Sequence, residues 1–298
     1  MIEIRYLQYF LAVAREQSIT RAAESLHISQ PTLSKQMMEL EAMLGKQLLI
    51  RNRKQIELTE EGSFLRARAQ EMLELMDKTE AAFHNEGELI SGDIHLGCGE
   101  TPAFGFIADV FQKLKREQPS LNLHLFSGDA DTVMERLDKG LLDIGLLLAP
   151  KKMDKFNYDK LPVQDKMGVL MREEDALASL DAIPDDMLKE LPLIISERTW
   201  SGSYHSFWDQ TKRTDYHIAA TYNLIYNATF LIKNGAGYGI SLDGLVNTQG
   251  TGLVFRPIVP EQSIDIYMVT KKYQTFAPAV KLFLERLQRA AETEAAEE

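Results

Sequence analysis

Polar side chains that can hydrogen-bond to nucleotide bases are concentrated in one short segment, Ser29–Gln36, with the sequence SQPTLSKQ. Gln can pair with adenine through two hydrogen bonds, and Ser or Thr hydroxyls can reach base edges or phosphates. Pro31 adds an apolar surface suited to a thymine methyl group. The candidate base-contacting residues are Gln30, Pro31, Thr32, Ser34, Lys35 and Gln36.

A basic cluster follows this segment, formed by Arg51, Arg53 and Lys54. Residues 1–58 hold eight Lys or Arg and six Asp or Glu, a net charge of +2, whereas the whole 298-residue chain carries −11. Because an acidic body repels polyphosphate, any nucleic-acid contact must lie in this N-terminal part. The cluster predicts phosphate contacts; a solvated basic face is the alternative interpretation.

Two short helices must position these side chains. Ser18 is a suitable N-cap for a helix ending near Leu26, and Ser29 is a suitable N-cap for the next helix. Pro31 then falls in the first helical turn, where its missing N–H costs little. Gly45 ends the second helix, and QLLIRNRKQIEL predicts two short strands around a wing tip. The pattern indicates a winged helix–turn–helix, although such a motif can also serve packing alone.

The motif residues resemble the winged helix–turn–helix of LysR-type transcriptional regulators over about 45 residues. Leu49, Ile19 and Glu61 depart mildly from the usual pattern. The matching residues are Thr20, Ala22, Ala23, Leu26, His27, Ser29, Gln30, Pro31, Leu33, Ser34, Gln36, Leu40, Glu41, Leu44, Gly45, Leu48, Arg51, Leu58, Thr59 and Gly62.

The resemblance implies a DNA-binding transcriptional regulator, with Thr20 and Ser29 joining the DNA-contacting set. It implies a winged helix–turn–helix domain at 1–58, a dimerisation helix at 59–88 and an effector-binding α/β domain at 91–298. It also implies duplex promoter DNA, a small-molecule effector and a second or further copies of the chain, in a homodimer or homotetramer, as partners, with RNA polymerase as an additional candidate.

The segment 59–88 predicts one long helix with an apolar stripe. Thr59 with two following acids makes a helix start, and the stripe repeats at the 4-3-4-3 spacing of a coiled coil. A second copy of the helix is the simplest partner for it, and packing on the chain's own C-terminal body is the alternative. The stripe consists of Leu65, Ala69, Met72, Met76, Thr79 and Phe83.

After Asp93, strand patterns alternate with helical ones, which predicts a parallel α/β sheet. A second α/β series follows, and the chain returns through SIDIYMVTKK to a closing helix. We therefore expect two lobes, about 91–160 with 268–298 and about 161–267, with a cleft between them. The architecture resembles periplasmic solute-binding proteins.

Ligands of such folds bind beyond the carboxyl ends of the strands, close to helix N-termini. That rule selects Glu100, Thr101, Ser127, Ser196, Arg198 and Asn227 as the effector-binding candidates. Thr101 and Ser196 are equally suited to plain helix capping. Glu100 is unexpected beside an anionic effector; it caps its own helix, pairs with Arg198, or indicates a cationic or neutral ligand.

Several classes of protein are disfavoured by the sequence. We find no G-x-S-x-G, P-loop, G-x-G-x-x-G or H-E-x-x-H pattern, so we expect neither an enzyme nor a bound cofactor or metal. Cys98 is the single cysteine, which excludes an intrachain disulfide and favours a cytoplasmic protein. No apolar run is long enough for a transmembrane helix, so no membrane partner is expected. An α/β enzyme or solute binder with an N-terminal interaction module remains the alternative.

Overall fold

A computed structural model describes residues 2–51, 55–83, 90–150, 152–201 and 215–297. The chain divides into two compact units, Met1–His84 and Asn85–Glu298. The first unit therefore contains both the predicted winged helix–turn–helix and the described part of the predicted dimerisation helix.

Short helices and a two-stranded sheet precede one long helix in the first unit. Their order is α1 (Ile4–Glu16), α2 (Ile19–Ser25), α3 (Gln30–Leu44), β1 (Leu49–Arg51), β2 (Ile56–Leu58) and α4 (Glu60–Phe83). The strands are antiparallel, with Leu49 opposite Leu58 and Arg51 opposite Ile56. The predicted helix–turn–helix and wing strands are therefore present.

The helix boundaries follow from capping chemistry. The Ser18 hydroxyl accepts a hydrogen bond from the Arg21 N–H at the start of α2. Gly45 ends α3 in the left-handed conformation, with φ of 64°, where a side chain would be strained. Leu33, Met37 and Leu40 of α3 are buried, as their spacing predicts, and pack with α1 and α2 in one core.

The stripe of α4 is divided between two environments. Leu65 and Ala69 are buried in the core of the first unit, where α4 contacts α1. Met72, by contrast, is 54% exposed. The prediction that the whole stripe faces one partner is thus wrong for its first two positions, because the apolar face of α1 already covers them.

Strands and helices alternate in the second unit, as predicted. The elements up to the long central strand are β3 (Gly92–Cys98), α5 (Phe104–Glu117), β4 (Leu121–Ser127), α6 (Ala130–Asp138), β5 (Ile144–Leu148) and β6 (Phe156–Arg172). The remaining elements are β7 (Ile183–Pro184), β8 (Pro192–Ser196), α7 (Glu197–Ser201), β9 (His217–Tyr222), α8 (Ile225–Lys233), β10 (Tyr238–Leu242), β11 (Leu253–Val259), β12 (Ser263–Lys271) and α9 (Pro278–Glu297). Two 3-10 turns, Ala176–Ser179 and Asp185–Glu190, flank β7.

The sheet has two parallel parts joined by antiparallel strands. In the first lobe β3 pairs in parallel with β4 and β5, and in the second β8 pairs in parallel with β9 and β10. Between them β12 pairs antiparallel to β5 and β6, while β6 continues antiparallel to β10 and β11. The chain thus crosses between lobes along β6 and returns along β12.

Candidate functional site

The α3 helix has one buried face and one polar face. Beside its buried residues, Gln30, Pro31, Thr32 and Lys35 are exposed, and Ser34 and Gln36 are half-buried. Thr20 is exposed on α2. The predicted base-contacting side chains therefore lie mainly on the surface, near the N-terminal end of the helix, which is the end that helix–turn–helix proteins insert into the major groove.

Ser29 fixes the start of α3. Its hydroxyl accepts a hydrogen bond from the Thr32 N–H at 3.3 Å and lies 2.7 Å from the Thr32 hydroxyl. The serine satisfies one of the unpaired N–H groups of the first turn, and Pro31 lacks an N–H. The backbone that carries Gln30 is therefore held in a defined conformation.

Lys35 has a weak intrahelical partner. Its ammonium lies 3.8 Å from a carboxylate oxygen of Glu39, and both side chains are exposed. Such i,i+4 pairs contribute only about 0.3–0.5 kcal/mol. The second Glu39 oxygen accepts a 2.9 Å hydrogen bond from the Tyr6 hydroxyl, which raises the pKa of Tyr6. Lys35 can therefore turn from Glu39 towards a phosphate at little cost.

The wing is attached to α3 by Glu41. One carboxylate oxygen of Glu41 accepts hydrogen bonds from the N–H groups of Leu48 and Leu49, at 2.8 and 3.0 Å. This contact fixes the start of β1 relative to the helix. Of the predicted wing residues, Arg51 ends β1, whereas Arg53 and Lys54 lie outside the described residues.

A cavity of about 350 Å³ lies in the second unit, bordered by both lobes. Its volume is within the range of about 300–1,000 Å³ that holds small molecules. The apolar part of its wall includes Leu147, Leu148, Met167, Ile240 and Leu242. The polar side chains around it belong to Glu100, Asp129, Asp131, Ser196, Glu197, Arg198, Thr199, Tyr222, Asn223 and Ser241.

Three of the predicted effector residues line this cavity: Glu100, Ser196 and Arg198. The other three, Thr101, Ser127 and Asn227, are not among the residues that line it. Thr101 is buried in the core, as described below; Ser127 ends β4 just before the turn that reaches the cavity, and Asn227 is exposed on α8 beyond the lining residues.

Glu100 connects the two lobes. Its carboxylate accepts a 2.7 Å hydrogen bond from the Ile225 N–H, the first residue of α8. The sequence offered helix capping as one interpretation of Glu100. Glu100 does cap a helix, but the capped helix is α8 of the opposite lobe and not its own. A carboxylate stabilises this end of a helix because the backbone N–H groups carry partial positive charge.

The cavity's other helix ends are capped by local side chains. Asp129 accepts a 2.8 Å hydrogen bond from the Thr132 N–H at the start of α6. This bond, and the nearby charge of Arg198, lower the pKa of Asp129. The Ser196 hydroxyl accepts a 3.1 Å hydrogen bond from the Thr199 N–H, the capping role that the sequence left open.

Thr101 holds the first lobe against β6. Its hydroxyl donates a hydrogen bond to Asp165, whose other oxygen accepts one from the Ala103 N–H at 3.2 Å. Thr101 and Asp165 are both buried, and burial raises the pKa of the Asp165 carboxyl. The pair is therefore structural.

Cys98 is also buried. Burial, and secondarily the charge of Glu100, raise the pKa of its thiol to about 11. Thiolate is the reactive form of cysteine, so this environment favours an inert structural thiol over an oxidant sensor.

Asp129, Asp131 and Ser241 are among the cavity's polar side chains that the sequence prediction omits. The strand-end rule already contained the signal for them. Asp129 comes two residues after β4, and Ser241 lies near the end of β10, which runs parallel to β8. The rule selects these side chains when it is applied to the segments GISL (239–242) and SGDAD (127–131).

The described residues show neither a metal-binding cluster nor a helix that could span a membrane. Within those ranges no three His, Cys, Asp or Glu side chains are grouped so that they could hold a metal ion. Nor does any helix there combine the length and apolar character needed to cross a bilayer.

Comparison with known proteins identifies the family of this chain. The profile of the "LysR substrate binding domain" matches residues 87–292, and that of the "Bacterial regulatory helix-turn-helix protein, lysR family" matches residues 4–63. The Hca operon transcriptional activator HcaR of Escherichia coli (strain K12) is 30% identical over 292 residues, covering 95% of this chain and 96% of HcaR. The HTH-type transcriptional regulator YvbU of Bacillus subtilis (strain 168) is 28% identical over 287 residues, covering 95% and 96%.

The fold also matches a solved structure. Full-length CbnR, crystallised in complex with its target DNA, superposes with a TM-score of 0.80 at 23% identity, over 97% of this chain and 100% of CbnR. Together with the profile matches, this confirms the predicted architecture. The matches are to transcriptional regulators, so the alternative of an α/β enzyme is set aside.

Proposed function

The chain belongs to the LysR family of transcriptional regulators, and on that premise we propose how its residues act. Gln30, Pro31, Thr32, Ser34, Lys35 and Gln36 contact bases and adjoining phosphates in the major groove, with Thr20 and Ser29 at its edge. Arg51, Arg53 and Lys54 bind phosphates from the wing. Glu100, Ser196 and Arg198 contact a small-molecule effector in the cavity.

The observation that carries the DNA proposal is the exposure of the polar end of α3 above a buried apolar face. Gln30 and Lys35 are exposed, while Leu33 and Met37 between and beyond them are buried. An apolar core on one face and hydrogen-bonding groups on the other allow the helix to enter a groove without losing its packing.

Binding isotherms on a matched operator and a scrambled duplex test the proposal. Variants of base-contacting residues change the ratio of the two affinities, whereas variants of phosphate-contacting residues weaken both equally. Equal losses on both duplexes for Gln30→Ala and Ser34→Ala would remove those residues from base recognition.

We also propose that the protein acts as a homodimer or homotetramer joined through the exposed half of α4. A second copy covers Met72 and its neighbours and sets the spacing of two half-sites on DNA.

Effector binding between the lobes then changes the arrangement of the copies and the affinity for a promoter. RNA polymerase at that promoter is a further proposed partner, and the cytoplasm is the proposed location.

A further inference from the structure

The cavity between the lobes has an excess of negative side chains. Glu100, Asp129, Asp131 and Glu197 contribute four carboxylates, and Arg198 contributes the one guanidinium among the described lining residues. Glu100 is half-buried, and the other three acids are exposed at the rim. In the part of the chain that the structure describes, no Lys or Arg lies within ion-pair distance of Glu100, Asp131 or Glu197.

Carboxylates already occupy two helix N-termini at the cavity, which are places where an anion could bind. The N-terminus of α8 receives Glu100, and the N-terminus of α6 receives Asp129. Helix N-termini attract anions through unpaired N–H groups and the helix dipole. An anionic ligand at either helix N-terminus would have to displace the carboxylate there and would still face the other acids, with Arg198 as the one guanidinium among the described lining residues.

A buried hydroxyl faces the same cavity. Ser241 is only 4% exposed and lines the wall, and its oxygen has no hydrogen-bond partner among the described residues. A buried polar group without a hydrogen bond is energetically unfavourable. Ser241 is positioned to supply that hydrogen bond to a polar group of a ligand.

We propose that the cavity binds a small organic cation, with a protonated amine attracted to Glu100 and the rim acids and an apolar carbon body against Leu147, Met167 and Ile240. The inference rests on the proposed function, because it names the chemical class of the effector at that site. The cross-lobe bond from Glu100 to α8 gives the cation a means of action, because a charge beside Glu100 alters the contact that joins the lobes.

Matched probes test the class of ligand on the full chain. Hexylamine, hexanoate and 1-hexanol share a carbon chain and differ in charge, and isothermal titration at low and high salt measures their affinities. We expect hexylamine to bind at least about tenfold more tightly than hexanoate, with the preference shrinking as salt rises. Hexylamine that binds no better than hexanoate, or does not bind, would overturn the proposal.

Paired variants test the location. Glu100→Gln removes the charge but keeps an oxygen to accept from Ile225, and we expect at least about a fivefold loss of hexylamine affinity. Glu285→Gln, an exposed acid on α9, is the control and should leave the affinity unchanged. Equal effects of the two variants would contradict the assignment, because they would indicate general attraction to an acidic protein.

A DNA-binding assay on the same preparation separates this inference from its premise. A protein that shifts promoter DNA yet prefers hexanoate contradicts the ligand class alone. A protein that binds hexylamine as expected but no DNA contradicts the proposed function while leaving the cavity assignment standing.

Discussion

At the residue scale, a few side chains set the shape of the DNA-binding unit. Thr59 accepts a hydrogen bond from the Gly62 N–H at 2.9 Å and donates one to the Gln47 carbonyl at 2.8 Å. Gly62 is needed because a Cβ there would lie 2.2 Å from the Leu48 carbonyl oxygen. Together these contacts join the start of α4 to the wing, and they account for the Thr59 and Gly62 spacing in this chain.

Gly62→Ala is expected to lower the free energy of unfolding of the first unit by about 1–3 kcal/mol, the usual cost of overpacking. Gly105→Ala, in the second unit, is the comparison for a Gly→Ala change without a clash, since a Cβ at that helical position meets no atom within 4 Å; it should stabilise that unit by about 0.5–1 kcal/mol. Denaturant unfolding followed by circular dichroism measures both. A neutral effect of Gly62→Ala would contradict the account of this junction.

Base recognition is also a residue-scale prediction. Gln30→Ala should reduce affinity for the operator by about 1–3 kcal/mol and should affect scrambled duplex less.

Arg51→Ala and Arg53→Ala should weaken binding to both duplexes and reduce the salt slope by about 1 each. Fluorescence anisotropy titrations over a salt series provide both quantities.

The buried Asp165 predicts a pH dependence. Its folded-state pKa is raised above the usual 3.8, so the group favours the folded state fully below pH 3.8 and loses that contribution as pH rises through the folded pKa. Asp165→Asn cannot ionise, so its stability relative to the wild type should increase with pH across that window. Urea unfolding over acidic pH measures the difference, and a constant or falling difference would contradict it.

At the element scale, α4 serves two purposes along its length. Its first part belongs to the core of the first unit through Leu65 and Ala69, and Met72 and Leu75 beyond them are 54% and 44% exposed. Heptad spacing predicted the stripe, but it could not predict that α1 covers the first two positions. That depends on the tertiary packing of a helix more than forty residues earlier in the chain.

Substitutions on the two parts of α4 should therefore differ. Met72→Glu should weaken self-association without lowering the melting temperature of the first unit, because its side chain is exposed there. Ala69→Glu should unfold that unit, since it buries an unpaired charge in a packed core. Analytical ultracentrifugation and thermal melts distinguish the outcomes; unchanged association of Met72→Glu would remove α4 from the interface.

At the scale of the whole molecule, the sequence predicts a site best when the residues of that site are close together along the chain. The DNA-contacting residues lie within one helix and its flanks, so capping and periodicity predict their positions. The cavity is assembled from the ends of β3, β4, β8 and β10, separated by up to about 140 residues. Glu100 meets Ile225 only through the folding of two lobes, so its partner was not predictable from local pattern.

We propose above all that the polar end of α3 recognises duplex DNA, in a protein whose net charge is −11. The most direct test is an anisotropy titration of the full-length protein at low ionic strength, comparing DNA from beside its own gene with random duplex. We expect salt-sensitive binding with a clear preference for the promoter fragment, and we expect Gln30→Ala to diminish that preference. Equal affinity for the two duplexes, or no binding to either, would contradict it.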